Sequence, residues 1–204
     1  MTSAVVPRVR TWTFREDPAI VAAAIARGAI LAVPTESSYG LAVDPRDAVA
    51  VERIFLLKGR RKTEALPVVG ASADAFHRLG VEPREPSLLW ASRLWPVPLT
   101  VVVPLHEPIP ASAGEKTLAV RVPAHEGLRT LLAAIDRPLT ATSANPSGEM
   151  PYLDATEVAA WFEAAGVDAL VVDGGLLPGG PPSTLVELVG GRPRVLRQGR
   201  FQVD

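Results

Sequence analysis

Short apolar runs at residues 29–33, 99–103, 118–122 and 169–172 set the strongest limit on what this chain can fold into. Each is rich in Val, Leu, Ile or Ala and too short for a helix, so each reads as a strand buried on both faces. Stretches of helical period lie between them. After Asp47, the residues Val51, Ile54, Phe55 and Ala48 share one face, which predicts a helix over 47–57. Further helices are predicted over 87–94, where Trp95-Pro96-Val97-Pro98 must end the element, over 126–135, and over 154–165, opened by the capping arrangement of Asp154 and Glu157. Strands are predicted over 66–69, with Pro67 at an edge or a strand start, and over 139–142. Residues 184–188 and 194–197 flank Gly190-Gly191 and read as a hairpin. Strands alternating with helices give an α/β fold. The closing hairpin and irregular spacing favour a twisted sheet of mixed parallel and antiparallel strands with flanking helices over a doubly wound one.

The 204 residues contain no internal repeat and no linker, so one domain over 1–204 is expected. With a formal net charge of -1, there is no global field to attract nucleic acid, and any basic site must be local. The absence of cysteine excludes disulfide and thiolate chemistry. His77, His106 and His125 are scattered without metal-ligand spacing, so no protein metal site is expected. Arg8, Arg10 and Arg15 precede an apolar run over 19–26 that invites reading as a targeting segment. Glu16 and Asp17 interrupt the positive region, and Arg27-Gly28 ends a run too short to span a bilayer. It reads instead as a helix with Asp17 as cap, Pro18 at the first helical position and Gly28 at the exit. A soluble cytoplasmic protein is expected, its mean hydropathy of +0.20 reflecting buried elements. Residues 106–116, with Pro108, Pro110 and Gly114, read as a mobile loop.

Several exits from these elements carry polar groups. Pro34-Thr35-Glu36-Ser37-Ser38-Tyr39-Gly40-Leu41 follows a buried strand and brings hydroxyls, a carboxylate and a phenol into one turn, with Gly40 allowing an unusual backbone. It is either a polar turn or a pocket for a small polar substrate such as an amino acid. Lys58-Gly59-Arg60, followed by Arg61 and Lys62, ends a helix. Cations there complement the helix dipole, but Gly59 also allows a turn that aims Lys58 and Arg60 at one anion, Arg as a bidentate fork and Lys as a point charge. Arg121 stands inside an apolar strand, either on a solvated face or pointing into a cleft toward a substrate carboxylate, with Thr117 just before the strand. Ser143 and Asn145 belong to Thr142-Ser143-Ala144-Asn145-Pro146-Ser147-Gly148, which has the composition of a turn. Ser183 and Thr184 follow a glycine- and proline-rich loop. No phosphate-loop, dinucleotide or serine-hydrolase elbow motif is present.

Taken in order, these segments resemble the YrdC-like family of threonylcarbamoyl-AMP synthases. The segments are 34–41, Lys58-Gly59-Arg60, Trp95-Pro96-Val97-Pro98-Leu99-Thr100, Val120-Arg121-Val122-Pro123, 142–148 and Pro182-Ser183-Thr184-Leu185-Val186. They span most of the chain, with a motif-bearing core over about 12–199, in the manner of the family's short, single-domain members. The resemblance implies a YrdC-like fold with a central concave cleft. It implies synthesis of threonylcarbamoyl-AMP and pyrophosphate from L-threonine, bicarbonate or CO2, and ATP, a nucleotidyl transfer that feeds threonylcarbamoyladenosine formation in tRNA. By motif, Lys58, Arg60, Ser143 and Asn145 mark the nucleotide site, with Lys58 and Arg60 as the catalytic cations. Thr117, Arg197 and Lys62 are further ATP contacts. Thr35, Arg121, Ala141 and Ser183 hold threonine.

The same resemblance implies Mg2+ carried by ATP, downstream tRNA-modifying proteins as partners, weak tRNA binding and no membrane association. On this reading Lys58-Gly59-Arg60 and Ser143-Ala144-Asn145 form opposite walls of one cleft. Arg61, Glu64 and Ala65 replace residues usual after the family's Lys-Gly-Arg, and Val97 replaces a glycine. A paralogue using a different carbamoyl or acyl substrate, and an RNA-binding module without ATP turnover, stand as the alternatives.

Overall fold

The apolar runs form the inner strands of two mixed sheets. The computed structural model describes residues 9–59 and 64–203. In chain order its strands are β1 (Val9–Thr13), β2 (Ile30–Pro34), β3 (Tyr39–Ala42), β4 (Val68–Val69), β5 (Leu99–Pro104) and β6 (Thr117–Arg121). They continue with β7 (Leu139–Thr140), β8 (Thr142–Ser143), β9 (Ala169–Asp173), β10 (Thr184–Val189) and β11 (Arg192–Arg197). The helices are α1 (Ala19–Ala26), α2 (Ala48–Lys58), α3 (Pro86–Ser92), α4 (Glu126–Ile135) and α5 (Ala155–Ala165).

The first sheet has the order β1-β9-β2-β3-β8 and the second β11-β10-β5-β6-β4-β7. In the first, β1 and β2 both run parallel to β9, whereas β2–β3 and β3–β8 are antiparallel. In the second, β10–β5 and β6–β4 are parallel and the remaining pairs antiparallel. The expected mixed pairing is therefore present, divided between two sheets.

The reading of 139–142 as one strand is corrected at the point where those sheets meet. Leu139 and Thr140 pair with Val69 and Val68 of the second sheet, and Thr142 and Ser143 pair with Leu41 and Gly40 of the first. Ala141 sits between, its N–H donating to the Pro67 carbonyl at 2.8 Å. The buried Thr140 hydroxyl accepts from the Val43 N–H at 3.0 Å, so a side chain satisfies a backbone group that neither ladder reaches.

Alternation along the continuous apolar strands explains why they carry no polar face. Ile30 and Ala32 of β2, with Ala169 and Val171 of β9, enter a core shared with α2, α5 and the second sheet. Leu31, Val33, Leu170 and Val172 enter a second core under α1 and α4. Both faces of the first sheet are thus covered.

Asp47 caps α2 by accepting from Val49 N and Ala50 N. The buried face of α2 is Ala50, Val51, Ile54 and Phe55, continuing to Lys58. Ala48, expected on that face, is exposed. Asp17 caps α1 through the Ala19 N–H at 2.9 Å. Helix α3 stops at Ser92, two residues short of the expected end. β1 and β3 were not anticipated. β1 buries only Trp12 and depends on its distant partner β9. β3 lies within the segment read as a turn, and Gly40 is a strand residue there without the unusual backbone expected of it.

Residues 106–116 are anchored at their centre, contrary to a mobile loop. The Ala111 N–H donates to the Pro45 carbonyl at 3.1 Å, the Leu66 N–H donates to the Ala111 carbonyl at 2.8 Å, and Ser112 is fully buried.

Candidate active site

A cleft of about 310 Å³ opens where the two sheets meet. The β2–β3 turn supplies Thr35, Ser37 and Ser38, the second sheet supplies Thr100 and Arg121, and the junction supplies Ala141, Thr142 and Ser143. Ser183 and Arg197 close the remaining side. Of the residues singled out from sequence, Thr35, Arg121, Ala141, Ser143, Ser183 and Arg197 therefore come together around one cavity. Lys58 and Asn145 stand behind Ser143 and do not line the cavity. Thr117 is exposed at the start of β6. Strand alternation places it on the same side as Arg121, about 13 Å further along. Arg60 and Lys62 lie outside the described residues.

The β2–β3 turn is built around Thr35. Its hydroxyl donates to the Ser38 carbonyl at 2.7 Å and accepts from the Ser37 and Ser38 N–H groups at 3.3 and 3.4 Å. Such a side-chain turn sets the direction in which Ser37 and Ser38 present their hydroxyls. Gly40 follows close against the junction, where a Cβ would lie 3.4 Å from the Thr142 carbonyl.

Arg121 occupies the cleft side of β6, which settles the choice left open by its sequence context. It is only 8% exposed, and its Nη1 is paired with Glu36 Oε1. Burial, followed by the neighbouring Arg197 cation, pushes the Arg121 guanidinium down to about 10, so it stays charged at neutral pH. Arg197 is itself shifted down by burial, and its Nη2 donates to the Ser183 carbonyl at 3.1 Å. Two arginines thus converge on one end of a hydroxyl-lined cavity. That arrangement favours an anionic ligand.

Lys58 departs most from expectation. Its helical spacing from Ile54 and Phe55 puts it on the buried face of α2, and it is 4% exposed. Its ammonium donates to the Ser143 carbonyl, and to the Asn145 carbonyl and Oδ1 at 3.0 Å each. The Lys58 carbonyl in turn accepts from the Ser147 N–H at 2.8 Å. Asn145 Nδ2 donates to the Pro146 and Glu149 carbonyls at 2.9 and 2.7 Å. Lys58 is therefore in direct contact with the 143–147 segment, and the two do not form opposite walls. Gly59 ends α2 in the left-handed conformation at φ 63°.

Thr100 and Glu36 escaped assignment from sequence. Thr100 Oγ1 lies 2.7 Å from Ser183 Oγ, and both are buried. A hydroxyl directly after Pro98-Leu99, at the start of a strongly apolar strand, was the available signal. For Glu36 it was a carboxylate set among hydroxyls. Among the described residues no carboxylate lines the cleft, and none form a group of three or more His, Cys, Asp or Glu able to hold a metal ion. Among the described residues no helix is long and apolar enough to cross a membrane.

Comparison with known proteins accords with this geometry. A family model described as "Telomere recombination", that of Sua5, YciO and YrdC, matches residues 23–199. A threonylcarbamoyl-AMP synthase of Pyrococcus abyssi is 38% identical over 97% of this chain and 57% of its own length. One of Thiobacillus denitrificans is 37% identical over 81% of this chain and 88% of its own. This chain thus spans little more than half of the archaeal relative. The solved structure of P. abyssi Sua5 complexed with L-threonine superposes with a TM-score of 0.80 at 36% identity, covering 94% of this chain and 57% of that one. Escherichia coli YciO, at 22% identity and a TM-score of 0.75 over 95% of this chain and 96% of its own, shares the fold. The chain belongs to the Sua5/YciO/YrdC family.

Proposed function

We propose that the protein is an L-threonylcarbamoyladenylate synthase, forming threonylcarbamoyl-AMP and pyrophosphate from L-threonine, bicarbonate or CO2, and ATP. The observation that carries this reading is the pairing of Arg121 and Arg197 at one end of a cleft otherwise walled by hydroxyls and backbone. The cavity offers a carboxylate site and a row of short polar groups, as an amino acid and a phosphate chain require. The synthase name of the relatives and the threonine complex of P. abyssi Sua5 agree with it.

On this reading Arg121 takes the threonine carboxylate. Ser183, oriented by Thr100, and the turn organised by Thr35 hold the rest of the amino acid against Ala141. The neutral threonine amine adds to CO2 and loses a proton to give a carbamate. A carbamate oxygen then bonds to the α-phosphorus of ATP, and the bond from that phosphorus to the pyrophosphate oxygen breaks. The attacking group is already an anion, so the protein's task is alignment and charge stabilisation.

Ser143 and Arg197 face the phosphates from the cleft wall, and Thr117 extends the nucleotide path along β6. Arg60 and Lys62 add cations near the phosphates. Lys58 acts from behind, fixing the 143–145 backbone. Mg2+ enters with ATP, since among the described residues the cleft wall offers hydroxyls and arginines in place of carboxylate ligands. The product passes to proteins that modify tRNA, with weak tRNA binding accompanying that transfer.

The test is to supply 13C-bicarbonate, ATP and a mixture of amino acids that includes threonine, and to identify the product by mass spectrometry. A labelled threonylcarbamoyl-AMP is expected. Labelled carbamoyl adenylates of another acceptor, with none of threonine, would assign the cleft to a different substrate.

A further inference from the structure

Glu36 projects from the β2–β3 turn with its side chain 10% exposed. One carboxylate oxygen accepts from Arg121 Nη1. The other, Oε2, is buried without a hydrogen-bond partner among the described residues. Its backbone is held separately, the carbonyl accepting from Arg200 Nη1 at 2.7 Å. The carboxylate is thus directed at a single group, the guanidinium on the cleft wall. A buried ion pair rarely stabilises a fold more than apolar residues of the same volume would, and a carboxylate oxygen without a donor adds to the cost. Stability therefore does not account for the pair.

Its geometry does. A guanidinium carries five N–H donors in a planar fork. Among the described residues, the Arg121 side chain makes no hydrogen bond besides that to Glu36, so its other donors remain available toward the cavity that it lines. Fixing Nη1 against Glu36 sets the plane of the fork. Charge points the same way. Two arginines and one glutamate leave the cluster one anion short, which an incoming carboxylate supplies without displacing Glu36.

We propose that Glu36 is a positioning residue for amino-acid binding, holding Arg121 so that the free edge of its guanidinium offers a two-point site for the substrate α-carboxylate. The identity of that substrate rests on the function proposed above, whereas the positioning rests on the Glu36–Arg121 contact alone.

Glu36→Gln removes the charge at nearly constant shape. Its KM for threonine should rise about tenfold or more, the effect of losing a charge-assisted contact. Its KM for ATP and its kcat at saturating threonine should stay within about threefold. Glu36→Asp, which keeps the charge one methylene shorter, should fall between, and it takes the place of Glu36→Gln if the latter does not fold. In 15N-arginine-labelled protein, the Arg121 signal, identified by its loss in Arg121→Lys, should show hindered guanidinium rotation in the parent and free rotation in Glu36→Gln, or faster rotation in Glu36→Asp if that variant stands in.

An unchanged threonine KM with unchanged Arg121 rotation overturns the proposal. So does a fall in kcat at unchanged KM, which would give Glu36 a part in the chemistry. If the parent shows no threonine-dependent turnover, the functional reading fails, and the rotation measurement alone decides the role of Glu36.

Discussion

The Lys58 ammonium lies 3.0 Å from Asn145 Oδ1, joining residues 87 positions apart at the back of the cleft. With the Ser143 and Asn145 carbonyls as further acceptors, this lysine organises the loop whose front carries Ser143. Lys58→Met should therefore abolish turnover by releasing the loop. It should also leave buried acceptors unpaired, at a cost of about 2–3 kcal/mol. Hydrogen exchange should rise at the Ser147 amide, which bonds to the Lys58 carbonyl. Unchanged exchange across 143–149 would separate the lysine from loop order.

Arg121→Lys tests the carboxylate site. Lysine keeps a positive charge but loses the planar fork, and a bidentate site does not tolerate that exchange. The KM for threonine should rise by about a hundredfold, roughly 3 kcal/mol, with ATP affinity preserved. Equilibrium titration of the variant with each ligand separately reads the difference.

Gly199 marks where the C-terminal segment crosses the strand entry that holds Ser183. A Cβ there would lie 2.1 Å from the Pro182 carbonyl oxygen and 2.6 Å from backbone atoms of Ser183 and Thr184. Backbone cannot yield as a flexible side chain can, so Gly199→Ala should displace Ser183 and cost about 2–3 kcal/mol. Chemical denaturation gives the stability, and the threonine KM should rise with it.

His125 supplies a pH signature. It caps α4, its Nδ1 accepting from the Leu128 N–H at 3.1 Å. Burial and then the nearby Arg129 cation hold its pKa below the ordinary histidine value. In the unfolded chain that restraint is gone, so as pH falls the unfolded chain takes up the proton first. The contribution to stability is complete above about pH 6.5 and declines as pH drops from there toward the folded-state pKa. His125→Asn keeps a cap acceptor without the titration. The stability difference between parent and variant should therefore shrink or reverse between about pH 7 and about pH 5. A pH-independent difference would show that His125 does not titrate in this range.

The inner strands and all five helices were legible because burial on both faces, helical period and capping residues are local signals. Ile30–Pro34 and Ala169–Asp173 need no partner to be recognised as strands. β1 was not legible, because Arg10 and its exposed neighbours acquire strand structure from pairing with β9, about 160 positions away. Nor was the division into two sheets. It depends on where the ladder around Ala141 changes partners, and a five-residue apolar and hydroxyl run does not announce that switch.

At the site, motif order singled out Thr35, Arg121, Ala141, Ser143, Ser183 and Arg197, and these residues line one cleft. The direction of the Lys58 side chain was missed, although Ile54 and Phe55 at helical spacing already placed it on the buried face. Glu36 was visible as a residue type, but its partner on β6 belongs to the other sheet, and only the tertiary fold brings them together.

The most direct measurement is pyrophosphate release from ATP in the presence of bicarbonate and each amino acid in turn. Release that depends on bicarbonate and is selective for threonine is the expected result. Release that is absent with threonine, or equal with all amino acids, would contradict the assignment of this cleft to threonylcarbamoyl-AMP synthesis.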